Sequence, residues 1–150
     1  MHRCIRLLAI SIASVLIGIG SAWAVEPGGV AFATLDGDEQ QVEIGEIWRV
    51  RGSAGRDEPE GAVVIDYAFE RLYVKGPLDS VIGKLREKGK IERFTLPGGG
   101  PVYIVADKVI SVARTIPGQH HPNSKALIVV REGQQQVQES RETIRSALGK

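Results

Sequence analysis

An internal repeat constrains this 150-residue chain more than any other feature of its sequence. When the sequence is shifted along itself by one constant interval, apolar residues of the two halves coincide: Ile65 with Ile128, Val74 with Val137, Val81 with Ile144 and Leu85 with Leu148. Each repeat of this kind corresponds to one structural unit. The sequence therefore predicts two similar units, over residues 30–89 and 91–149.

Each unit carries the pattern of two β-hairpins followed by a short helix. Turn residues separate short apolar runs at residues 36–38 and again at residues 97–100, as expected for hairpins. Pro77 and Ser140 suit the beginnings of the two helices, and Gly89 and Gly149 suit their ends. The expected fold class is α+β, built from two tandem β-rich units.

The size of the units predicts that they do not fold separately. Burial is marginal in a unit of this size without a disulfide or a metal. The connection at residues 86–93 is brief. We therefore expect a single α+β domain over residues 25–150, in which the two units pack with pseudo-twofold symmetry. Two separate domains are the alternative.

Residues 1–24 have the composition of a secretory signal peptide. Arg3 and Arg6 precede an apolar stretch at residues 7–19, and Ala22-Trp23-Ala24 forms a small-x-small cleavage pattern,. An uncleaved signal anchor is the alternative. Cleavage would leave a periplasmic or secreted chain without stable membrane insertion. That chain would also lack cysteine, since the one cysteine is Cys4.

The charge balance argues against a nucleic-acid partner. The chain has 19 Lys and Arg against 18 Asp and Glu, and removal of Arg3 and Arg6 leaves 17 against 18. A chain so close to neutral has no long-range attraction for nucleic acid or for an anionic membrane.

The loops preceding the second hairpins differ between the units and hold the candidate site residues. The second loop carries His120 and His121, and the first carries Asp57, Glu58 and Glu60. Imidazole and carboxylate groups are common metal ligands, so a metal site at His120 and His121 becomes possible if these loops meet. A solvated loop is the other interpretation, because adjacent residues on extended backbone point apart. We predict no cofactor.

The second unit resembles the small flagellar FlbD-like protein family. The resemblance rests on these residues: Phe94-Thr95-Leu96, Gly98, Val102-Tyr103-Ile104, Asp107, Val109, Val112, Ile128, Gly133, Val137-Gln138-Glu139-Ser140, Ile144 and Leu148. It implies a strand-rich body closed by a helix. That family is cytoplasmic and has a single unit, whereas this chain is doubled and carries an export signal. The family has no established catalytic residues to carry over, and a shared architecture does not transfer a flagellar role.

No catalytic pattern stands out in the sequence. There is no G-x-S-x-G motif, and Asp66 and Asp107 read as isolated carboxylates,. Gly98-Gly99-Gly100 reads as a hairpin turn, because Pro101 and a strand follow it instead of a helix.

The expected function is therefore an exported, non-enzymatic binding or assembly module. Its partner would be an envelope protein or a second copy in a homodimer, and Asp57, Glu58 and Glu60 are the partner-binding candidates. One alternative is a small metal-dependent hydrolase that uses the His120–His121 loop. Another is an envelope stress protein that buffers a ligand without a defined partner.

Overall fold

The computed structural model describes residues 28–150. The predicted signal peptide, residues 1–24, lies outside the described residues. The described part contains both β-strands and two α-helices, so the prediction of a mixed α+β fold is confirmed. Neither of these two helices is long and apolar enough to cross a membrane.

Both units contain a hairpin, a three-stranded meander and a helix. The elements of the first unit are β1 (Gly29–Ala33), β2 (Glu39–Glu43), β3 (Ile47–Gly52), β4 (Val63–Tyr67), β5 (Glu70–Val74) and α1 (Leu78–Arg86). Those of the second are β6 (Ile91–Thr95), β7 (Pro101–Val105), a 3₁₀ turn (Ala106–Lys108), β8 (Ser111–Arg114), β9 (Ala126–Val130), β10 (Gly133–Val137) and α2 (Arg141–Leu148).

The strand registers of the two units also agree. Val50 lies opposite Ile65 in the first meander, and the equivalent Val112 lies opposite Ile128 in the second. The end of each meander is tied back to its own hairpin by a backbone hydrogen bond. Lys75 donates to Ala33 at 2.9 Å, and Gln138 donates to Thr95 at 3.0 Å. The sequence repeat therefore corresponds to a repeated arrangement of backbone pairing.

The two helices end differently, although the sequence predicts a glycine stop for both. Gly149 ends α2 in the left-handed conformation, with φ of 71°, as expected for a glycine at this position. The prediction for Gly89 is wrong, because α1 ends at Glu87 in the right-handed conformation and Gly89 has no positive φ. The amides of Lys88 and Gly89 both donate to the Leu85 carbonyl, so the last turn closes without a left-handed residue.

Other local predictions need small corrections. Ser140 caps α2 as expected, and its hydroxyl accepts a hydrogen bond from the Thr143 amide at 3.2 Å. Pro77 precedes α1 as its N-cap and is not the first helical residue. Residues 106–108 form the 3₁₀ turn, and β8 begins after it at Ser111.

A five-stranded sheet joins the two units. Its strand order is β5-β4-β3-β7-β6, so the hairpin of the second unit is added to the meander of the first. The joint is an antiparallel pairing of β3 with β7, in three residue pairs: Arg49 with Ile104, Val50 with Tyr103 and Arg51 with Val102.

The hairpin β6–β7 contributes side chains to two hydrophobic cores. Tyr103 and Val105 pack into the core of the first unit, whereas Val102 and Ile104 pack into the core of the second. Successive side chains of a strand point to opposite faces of its sheet. The apolar run of β7 is thus buried on both faces.

The joint between the units is head to tail. A twofold axis that exchanges the units would pair β8 with β2 whenever it pairs β3 with β7. Among the described residues, β8 pairs only with β9 and β2 pairs only with β1. The strand pairing therefore differs from the reciprocal arrangement that the expected pseudo-twofold symmetry requires.

Candidate binding surfaces

Three arginines and two carboxylates form a partly buried ion-pair network on the first meander. Asp66 accepts hydrogen bonds from Arg49 at 2.8 Å and from Arg71 at 2.9 Å. Glu58 pairs with Arg51 at 2.5 Å and with Arg71 at 3.1 Å. Arg71 thus links the two carboxylates. Asp66, which looks isolated in the sequence, is compensated on both oxygens.

Glu58 also organises the loop in which it lies. Its carboxylate accepts hydrogen bonds from the backbone amides of Ala54 and Gly55, each at 2.9 Å. The hydrogen bond from Arg51 lowers the pKa of Glu58 well below its ordinary value; burial opposes this shift, and the two amides add to it,. The carboxylate is therefore ionised and held by four donor residues once Arg71 is included.

The network changes the interpretation of the partner-binding candidates. The side chain of Glu58 is only 7% exposed, so its carboxylate is occupied inside the chain. Asp57 and Glu60 are exposed on the same loop and are free to face a partner.

Arg49 extends from this network to the second unit. Its Nη1 donates to Gln135 Oε1 on β10 at 2.5 Å, and its guanidinium stacks 4.5 Å from the centre of the Trp48 ring. Beside it lies an open cleft of about 560 Å³ between the units. The cleft is lined by Arg49, Ala54, residues 96–99, His121 and residues 134–136.

The cleft brings together features that are distant in the sequence. His121 and the glycine turn of the second unit lie near Ala54, which belongs to the loop of the first. Its polar side chains are arginine, histidine and glutamines. These groups can hydrogen-bond a polar chain or backbone, and no carboxylate lines the cleft.

Local hydrogen bonds engage both candidate metal ligands. Nδ1 of His120 accepts from the Ile116 amide at 2.8 Å, and Nδ1 of His121 accepts from the Asn123 amide at 3.1 Å. Residues 28–150 contain no group of three or more His, Cys, Asp and Glu side chains that could hold a metal ion. The two loops therefore do not assemble the donor set on which the metal-site hypothesis depends.

Among the edge strands in the described part of the chain are β2 of the first unit and β8 of the second, each of which has a strand partner on one side only. The β2 edge is acidic and exposes Glu39 and Gln41. The β8 edge exposes Ser111 and Arg114 and is flanked by two exposed isoleucines, Ile110 at 66% and Ile116 at 51%. An unpaired strand edge offers backbone donors and acceptors to another strand.

Sequence reasoning missed Arg49, Arg71 and Gln135 as parts of these surfaces. The signal for the arginines lies in β3 and β5, where charged residues occur inside strands that pack into a core. The signal for Gln135 is weaker, because Gln134-Gln135-Gln136 looks uniformly polar. The residue on the inner face is set by the register with β9.

Comparison with known proteins finds no matching family model, no matching curated protein and no matching solved structure. The likeness of the second unit to the FlbD-like family therefore stays a prediction about architecture.

Proposed function

We propose that this protein is an exported, non-enzymatic binding or assembly module that recruits its partner by strand addition at its open sheet edges. The observation that carries the proposal is the β3·β7 joint, in which one unit already adds a hairpin to the sheet of the other. Strand addition obtains affinity from backbone hydrogen bonds and specificity from side chains at alternate positions. The edges of β2 and β8 offer backbone groups without a strand partner and exposed side chains.

The state of the charged groups supports a role without catalysis. A general acid or base needs a free site for a proton near the substrate. Asp66 and Glu58, the buried carboxylates of the network, are instead each held by two arginines. Such pairing favours a structural role, in which the network fixes the loop and the meander against each other.

Site-specific photo-crosslinking tests the proposal. A photoreactive residue placed at Gln41 on β2 or at Ala113 on β8 should give a discrete adduct in the envelope fraction. The same residue at the exposed Ser80 on α1 serves as a matched control and should give none. Recovery of monomer alone from both edge positions would contradict the proposal, and so would equal adducts from all three.

Calorimetry tests the alternative of a metal-dependent hydrolase. Zn²⁺ should give the same negligible heat with the wild type and with the His120→Ala/His121→Ala variant, because the loops supply no third ligand nearby,. A binding heat in the wild type that the double substitution removes would favour the hydrolase.

A further inference from the structure

We propose that the partner at these edges is a second copy of this chain: β2 of one copy adds to β8 of the next and so repeats the β3·β7 joint. This inference rests on the proposed function and names its partner. It follows from the duplication, because β8 is the equivalent of β3 and β2 is the equivalent of β7. The two strands that pair inside the chain thus have equivalents, β8 and β2, that each have no strand on their outer side among the described residues.

The internal joint fixes the register of the joint between copies. Transferring the three internal pairs to their equivalents gives three new pairs: Val42 with Ser111, Gln41 with Val112 and Gln40 with Ala113. The transfer is justified because the pairings within each hairpin and each meander agree between the units, residue for residue.

Charge complementarity supports the same register. One residue beyond the last pair, Glu39 of β2 falls opposite Arg114 of β8, and both side chains are exposed. Opposite charges directly across an antiparallel pair attract each other. Asp36 and Asp38 in the adjoining turn add negative charge near the same end of β2.

The joint between copies is weaker than the internal one. Gln41 and Glu43 stand where Tyr103 and Val105 stand in β7, and those two residues are buried in the core of the first unit. A polar face buries less apolar surface and so gains less free energy on association. The expected assembly is therefore reversible and concentration dependent. Because the contact uses two different surfaces, it is heterologous and can extend beyond a dimer.

A charge-swap experiment distinguishes this joint from other contacts. Glu39→Arg alone places two arginines opposite each other, and Arg114→Glu alone places two glutamates opposite each other. Either variant should raise the dissociation constant about tenfold in sedimentation velocity. A 1:1 mixture of the two variants should recover assembly, because both contacts between unlike copies then join a glutamate to an arginine.

The matched control is Glu87→Arg, which makes the same charge change at the exposed end of α1, outside both edge strands. It should assemble as the wild type does, and circular dichroism should show that all three variants are folded. A wild type that remains monomeric over the whole concentration range would overturn the inference. A mixture that assembles no better than its separate components would do the same.

The outcome also separates this inference from the proposed function. An effect of Arg114→Glu with none of Glu39→Arg would indicate a symmetric β8·β8 contact and would overturn the β2·β8 joint. If crosslinks at Gln41 and Ala113 reach a different protein while the charge swaps change nothing, strand addition stands and self-assembly fails. If neither edge crosslinks, the proposed function itself fails.

Discussion

Arg49 of the first unit donates a hydrogen bond to Gln135 of the second at 2.5 Å, while its Nε holds Asp66 at 2.8 Å. One guanidinium therefore couples the charged network of the first meander to the last hairpin of the second unit. Gln135 is only 7% exposed, so loss of its side chain leaves Arg49 short of one buried partner.

Gln135→Ala should lower the free energy of unfolding by about 1–2 kcal/mol, the usual cost of leaving a buried donor unpaired. Urea denaturation measures the change. Gln134→Ala is the matched control, because Gln134 is exposed, and it should change stability by less than about 0.5 kcal/mol. Equal effects of the two substitutions would show that the hydrogen bond between Arg49 and Gln135 contributes nothing to the free energy of unfolding.

The ionisation of Glu58 should make the stability of the protein depend on pH. The folded state lowers its pKa below the ordinary value of 4.5, so the folded state binds this proton less readily than the unfolded state. The contribution to stability is complete above the ordinary pKa and is lost progressively as the pH falls below it. At neutral pH, Glu58→Gln should cost about 3 kcal/mol, because it breaks a buried ion pair.

Denaturation at several pH values tests this expectation. The stability of Glu58→Gln should fall less steeply than that of the wild type between about pH 5 and pH 3. Glu60→Gln, on the exposed part of the same loop, should follow the wild-type profile. A Glu58→Gln variant with an unchanged acid profile would show that this carboxylate is not responsible.

Ala68 is the one described non-glycine residue with a positive φ, at 45°. It begins the two-residue turn between β4 and β5, a position that favours glycine. Ala68→Gly should raise the free energy of unfolding by about 0.5 kcal/mol, because the relief of left-handed backbone strain in the folded state outweighs the added conformational entropy of the unfolded chain. Phe69→Gly, at the next residue, relieves no such strain and should not stabilise the protein. Thermal melts of the two variants decide the matter.

Ser140→Ala should cost about 1 kcal/mol, because it removes the side-chain cap from the first turn of α2. Hydrogen exchange should show faster exchange of the Thr143 amide, which loses its acceptor. Ser146→Ala, an exposed position inside the same helix, should leave stability unchanged or slightly raised. A loss of stability at Ser146 equal to that at Ser140 would argue against the cap.

The order of elements could be predicted from the sequence because local signals determine it. Turn residues at 36–38 and 97–100 mark the hairpins, and Ser140 and Gly149 mark the ends of a helix. The local interpretation failed at Gly89, where the helix closes through two backbone bonds to Leu85 and needs no left-handed residue.

The pairing between the units could not be predicted in the same way. Tyr103 faces one core and Ile104 the other, yet both belong to one apolar run whose strand partner is not encoded nearby. Glu58 shows the same limit for the candidate site. It lies in a polar loop that looks solvated, and the folded positions of Arg51 on β3 and Arg71 on β5 bring its carboxylate inside.

The sharing of the β6–β7 hairpin bears on how the chain can be divided. A cut at residues 87–90 falls between the two repeats, but it would not release two independent pieces. The first piece would lose Tyr103 and Val105 from one wall of its core, and the edge of β3 would be left bare. A cut after β7 would do no better, because Phe94, Val102 and Ile104 of the same hairpin would then be missing from the core of the second unit. The shared hairpin thus leaves the chain without a point at which it divides into two complete modules.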